Sequence, residues 1–291
     1  MSASVIGERE VAAPASESAP ARRIRGGTMK RNARTLGRRF FRSRVFGWLA
    51  LVAVVVAWQL SSQVRYNPSI SSPSRIGSAV VSGLSGGELL TALLDTLRTM
   101  GIGFAIAVPV GIGVGFLMGR VRVIWALLEP TVEIARLHPT SAVIPILILF
   151  LGLGDPMKIT VFLLSAVFPL LMTAYAGAQS VSPTLRETAQ TFHLNWVQTQ
   201  WEIALPASIP YILVGMRQAL GSALLMAVVV GMLAGNGGIG YFILEAQQSL
   251  NVTELLAGVV TVAAVGYVFN TIFLRLERRF TRWRRTDTIG D

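Results

Sequence analysis

Six stretches of this chain stay apolar long enough to cross the hydrocarbon core of a bilayer, whose ~30 Å takes about 20 residues of helix. They lie at about 45–61, 100–118, 124–151, 159–177, 212–233 and 255–274. Lipid offers no partner to a backbone N–H or C=O, so a spanning segment must pair its own backbone, as a helix does. The expected fold is therefore all-α, a polytopic transmembrane bundle of about six helices. The third stretch is the least regular. Pro139 and Pro145 each remove a helical hydrogen bond and His138 is polar, which predicts a broken or tilted helix there.

Charge is distributed as such a bundle requires. Only 14% of the 291 residues are charged, against roughly 25% in soluble domains, yet the net charge is +11. Phosphate backbones select a basic balance of this kind, but 17 of the 26 Lys and Arg residues sit in two tails, 11 before Val45 and 6 after Leu274. The expected partner is accordingly the lipid bilayer and not nucleic acid. With the N-terminus inside, 20 basic residues fall on the inner side and 4 on the outer, namely Arg65, Arg75, Arg98 and Lys158. By the positive-inside rule both termini are cytoplasmic. This gives a disordered basic tail at 1–44, a transmembrane domain at 45–274 and a basic tail at 275–291. The chain has no cysteine and two histidines, His138 and His193, so thiolate sites and a histidine metal cluster are excluded and no cofactor is expected on this chain.

The cytoplasmic segment 179–210 is polar enough to leave the bilayer and too patterned to be disordered. Ser182 and Pro183 suit the cap and first turn of a short helix, and Leu185, Ala189 and Phe192 then recur on one face. A second short helix is expected from Trp196 through Ile203 to a stop at Pro206. Two short amphipathic helices at right angles would form a knob that another protein can grip.

Here the residues resemble a known family. Glu187, Ala189, Ile203, Leu205 and Pro206 fall in register with the coupling-loop signature of binding-protein-dependent ABC importer permeases. Thr188 stands where that family usually has Ala, and His193 where it usually has Gly. Because the chain turns there with positive φ, His193 must accept strain of roughly 1 kcal/mol or more, or Asn195 must take over the turn. The wider order of Pro73-Ser74, Gly103-Phe104, Pro109-Val110-Gly111, Arg136-Leu137-His138-Pro139, Gly238-Ile239-Gly240-Tyr241 and Leu276-Glu277-Arg278-Arg279 is similar to the nitrate, sulfonate and taurine branch. The resemblance implies a multi-pass protein of the cell (inner) membrane that performs no bond chemistry. Cytoplasmic ABC ATPase subunits, holding ATP and Mg, would dock on Glu187, Thr188, Ala189, Phe192, His193, Ile203, Leu205 and Pro206. A second permease copy and an extracytoplasmic substrate-binding protein would complete the importer. The cargo would be a small anion crossing by alternating access, along a path with His138, Thr140, Ser141, Ser222 and Met226 as candidates.

Gly235-Asn236-Gly237-Gly238-Ile239-Gly240 satisfies G-x-G-x-x-G, but follows a membrane span instead of a strand; a flexible turn accounts for it. No G-x-x-x-x-G-K-[ST] occurs, so the ATPase must be a separate chain. Gly111, Gly115 and Gly119 repeat every four residues, which allows close helix approach, static or moving. Glu129, Glu133, Arg136 and Arg217 are charges within helices, and the expectation is that Glu133 or Glu129 pairs with Arg217 or Arg136 to lock helices. Asn251-Val252-Thr253 matches a glycosylation acceptor but reads better as a helix cap. Two rivals stay open: an ion-gradient-driven secondary transporter, which predicts internal repeats and mid-bilayer carboxylates, and a membrane scaffold whose loop merely binds a soluble protein.

Overall fold

The computed structural model describes residues 44–64, 71–137, 139–234 and 236–280. The expected disorder of the N-terminal tail, most of the C-terminal tail and the candidate path residue His138 lie outside the described residues. Helix α1 is Arg44–Val64, α2 Pro73–Leu84, α3 Glu88–Arg120, α4 Arg122–Leu137, α5 Thr140–Leu151, α6 Asp155–Gln179, α7 Pro183–Thr191, α8 Trp196–Ala234, α9 Ile239–Gln248 and α10 Val252–Phe280. No strand occurs among the described residues, in agreement with the expected all-α class.

The chain divides into two units, Met1–Val55 and Val56–Asp291. Of the first, the structure describes the N-terminal part of α1, where Trp48, Leu49, Leu51, Val52 and Val54 are all exposed. A helix apolar around its whole circumference belongs in lipid.

In the second unit α3, α6, α8 and α10 are each long and apolar enough to cross a membrane. The expected third span is indeed broken. It divides into α4 and α5, bent by 95°, which reach membrane length only as a pair. The first expected span is a shorter apolar helix, Gly47–Gln63. All six expected stretches thus fall in helices, four of which are of membrane length by themselves among the described residues.

Helix ends depart from the sequence reading where propensity outruns the bilayer. The span expected from residue 100 begins at Glu88, because Gly86, at φ 117°, ends α2 and the helical pattern resumes at once. Ser72 caps α2, accepting from the Arg75 amide at 3.4 Å, with Pro73 fixing the first turn. The short helix expected to stop at Pro206 does not stop. It runs on into the span as α8, and the six residues Thr199–Ala204 form a π-helical stretch in which the Leu205 amide reaches back to the Gln200 carbonyl. That widened turn sits directly before Pro206 and gives its ring room that a regular α-turn would deny.

The core is built on α6. Helix α3 meets it along Gly103, Ala107, Gly111, Gly115 and Gly119, all one helical turn apart. A Cβ on Gly103 would lie 2.8 Å from Phe162 Cβ, one on Gly111 2.7 Å from Leu170 Cβ, and one on Gly119 2.5 Å from Ala178 Cβ. The stripe is backbone-to-backbone packing, the kind that holds helices together where lipid removes the hydrophobic drive. On its other side α6 meets α8, where a Cβ on Gly177 would meet Ser208 and Tyr211 and one on Gly215 would meet Thr173. Met100, Phe162, Leu220 and Leu224 fill the space between these three helices, and Val265, Phe269 and Phe273 of α10 close over them. At one end, where α3 and α6 begin and α8 finishes, α9 tucks under α3 through Leu89, Ile239 and Ile243. At the other end α6 finishes and α7 begins.

Candidate functional site

The segment between α6 and α8 is held by four capping devices in sequence. Ser182 accepts from the Leu185 amide at 3.3 Å and Pro183 sets the first turn of α7. At the other end the Leu194 amide donates to the Ala189 carbonyl and the His193 amide to the Gln190 carbonyl, each at 3.0 Å. This is the paired closure that ordinarily places glycine at the residue with positive φ. His193 occupies that place at φ 52°, so the strain expected of it is real and Asn195 does not relieve it. Asn195 instead opens α8 through a reciprocal capping box, its side chain accepting from the Gln198 amide at 2.8 Å while the Gln198 side chain accepts from the Asn195 amide at 2.9 Å.

The side chains expected at this site take different positions. Glu187, Thr188 and His193 are exposed, and Thr188 returns its hydroxyl to the Thr184 carbonyl at 2.9 Å. Ala189 is buried at 4%, whereas Phe192 is 73% exposed. The face expected to carry Leu185, Ala189 and Phe192 together is therefore split. Ala189 seats the helix, and Phe192, in the turn, points away. Ile203 and Pro206 line a cavity of 420 Å³ with Ser180, Ser182, Leu185, Glu202, Ala207 and Pro210; Leu205, half-buried, does not line it. Trp196, Val197 and Trp201, which the sequence reading gave no role, add large exposed apolar surface to the same end.

The candidate path residues are not gathered. Thr140 and Ser141 begin α5, Ser222 is half-buried on α8, and Met226 packs against the core of α5, α6 and α8. None lines either cavity described here. The expected ion pairs are also rearranged. Glu133 and Arg136 pair at 2.6 Å, but within α4, so they lock nothing. Arg217 meets Glu277 of α10 at 3.5 Å in place of Glu129 or Glu133, because α10 and not α4 packs beside that part of α8.

At the far end the structure holds a charge that sequence reasoning passed over. Lys158 was counted as an outer-loop residue, yet it is buried at 4% and its ammonium donates to Asp95 and to the Gly237 carbonyl, each at 3.2 Å. Beside it Thr96 accepts from the Ile239 amide at 2.8 Å. Gly237 and Gly238, at φ 117° and 86°, lie in the turn that leads into α9. A cavity of 440 Å³ opens between Glu88, Asp95, Asp155, Lys158, Tyr241 and Glu245. Asn251 caps α10, accepting from the Glu254 amide at 3.3 Å. Among the described residues no three His, Asp or Glu groups are placed to hold a metal ion.

Comparison with known proteins bears on what such an arrangement serves. The family model described as "Binding-protein-dependent transport system inner membrane component" matches residues 107–286. The putative aliphatic sulfonates transport permease protein SsuC of Bacillus subtilis (strain 168) is 30% identical over 267 residues, covering 90% of this chain and 96% of that protein. The nitrate import permease protein NrtB of Synechocystis is 31% identical over 185 residues, 64% of this chain and 67% of that one. The taurine transport system permease protein TauC of Escherichia coli (strain K12) is 29% identical over 201 residues, 69% and 73% respectively. In fold, a chain of the inward-facing MetNI methionine ABC transporter superposes with a TM-score of 0.60 at 18% identity, over 66% of this chain and 96% of that one.

Proposed function

This chain belongs to the family of binding-protein-dependent transport system inner membrane components, in the branch of the nitrate, sulfonate and taurine permeases, and from that premise we propose how it works. It is a multi-pass cell-membrane protein, the membrane permease subunit of an ABC importer. We infer that it is driven at α7. An ATPase carrying ATP and Mg grips the exposed face around Glu187, Thr188, Phe192 and His193, with Ile203 and Pro206 shaping the cavity behind it. The observation that carries this reading is a short helix capped at both ends between two membrane spans, α6 and α8, with every residue but Ala189 exposed. A disordered loop would transmit no force; a doubly capped helix does.

Closure of the ATPases draws two such helices together and opens the path outward, and hydrolysis resets it inward. The second α7 comes from a second copy of this chain. That copy would also cover faces now open on α8, where Gly221 and Ser222 lie next to the exposed Leu225. Ser222, with Thr140 and Ser141, remains the proposed lining of the path. A binding protein delivers the cargo at the α9 end. The cargo is a small anion, in keeping with relatives named for sulfonates, nitrate and taurine. The test is uptake of labelled taurine and nitrate into vesicles. Uptake that needs ATPase, ATP and binding protein together supports the proposal; uptake by this chain alone under an ion gradient overturns it.

A further inference from the structure

At the α7 end one side chain, Arg120, joins three helices through two hydrogen bonds. Arg120, the last residue of α3, donates from Nε to Gln200 Oε1 at 2.5 Å and from a terminal nitrogen to the Ala178 carbonyl of α6 at 3.4 Å. Gln200 is 7% exposed and lies in the π-helical stretch of α8. Its amide nitrogen donates back to the Trp196 carbonyl at 3.2 Å, so both ends of the side chain are engaged. The guanidinium fork thus ties the last turns of α3 and α6 to the π-helical turn of α8.

We infer that Arg120 and Gln200 are positioning residues that pass movement of the α7–α8 segment to α3 and α6. Helices α3 and α6 have no room between them along the glycine stripe and therefore move together. Their far ends hold the Lys158–Asp95 pair and the turn before α9. A displacement entering at Gln200 reaches that end along α3, one continuous helix from Glu88 to Arg120 that carries Pro109 within it. The π-helical stretch marks the joint, since helices bend at such widened turns and functional sites often carry them. This rests on the proposed docking of an ATPase at α7.

The test uses the assembled complex and a reporter on α3 itself. The chain has no cysteine, so Thr91→Cys, at an exposed position lining the far cavity, gives one site for a membrane-impermeant maleimide. With Arg120 present, ATP should change the labelling rate about fivefold or more, the usual size of a coupling between sites. Arg120→Ala should retain the ATPase and its hydrolysis while the response to ATP disappears. Gln200→Glu, which keeps an acceptor for the guanidinium, should preserve the response, and Arg120→Ala with Gln200→Ala together should be no worse than Arg120→Ala. If Arg120→Ala does not accumulate, Arg120→Lys serves, since one nitrogen cannot span both acceptors, and loss of response is again expected. An Arg120→Ala or Arg120→Lys variant that binds ATPase and still answers ATP like the parent overturns the joint alone. A parent chain that holds no ATPase overturns the proposed function and the joint with it.

Discussion

His193 shows how a single residue carries both strain and identity. A non-glycine residue at φ 52° costs roughly 1–2 kcal/mol, and glycine gives back part of that gain through its own entropy. His193→Gly is therefore expected to stabilise the subunit by about 0.5–1 kcal/mol, and His193→Val to destabilise it, both read by thermal unfolding in detergent. Lys158 poses the opposite problem. Its cation is buried and the partner carboxylate partly exposed. Asp95→Asn strands the charge and should cost about 2–4 kcal/mol. The double change of Asp95→Asn with Lys158→Met should recover much of this, because it leaves no unpaired charge and gives up only the donor to the Gly237 carbonyl. The turn at His193 was legible because its neighbours spell out a helix end. The burial of Lys158 was not, since its two partners lie 63 and 79 residues away and nothing local marks them.

At the scale of elements, apolar length gave the spans and Pro139 gave the break between α4 and α5, whereas Pro145 lies inside α5 without ending it. Where helices begin and end was less legible. Helix α3 starts well before its apolar run and α8 starts at Trp196, because a helix stops for lack of backbone partners or at a glycine turn, not at the edge of the lipid. Pro206 misled for the same reason, as a π-helical stretch absorbs what a regular helix could not. The choice of Glu277 as partner for Arg217 depends on which helices pack side by side, which periodicity alone leaves open. The glycine stripe yields a paired prediction. Gly115→Ala would press a Cβ into the Leu171 carbonyl and should destabilise by about 1–3 kcal/mol. Gly113→Ala meets nothing within 4 Å and should stabilise by about 0.5–1 kcal/mol. Unfolding in detergent separates the two.

The whole molecule is a bundle whose α3, α6 and α8 interlock so closely that movement must enter at an end. The α7 end offers the handle: a capped helix, an exposed aromatic flank and a cavity behind it. Glu187→Arg is expected to leave the amount of chain in the membrane unchanged while abolishing ATP-driven uptake, since the reversed charge lies on an exposed face that no core contact uses. The most direct measurement is thiol cross-linking from Glu187→Cys, the sole cysteine in the chain, within membranes that contain the importer's ATPase. A cross-linked adduct with the ATPase, formed at a rate that changes when ATP is added, is the result expected. Failure to capture the ATPase from Glu187 or its exposed neighbours Thr188 and His193, in a complex that still imports, would contradict the account.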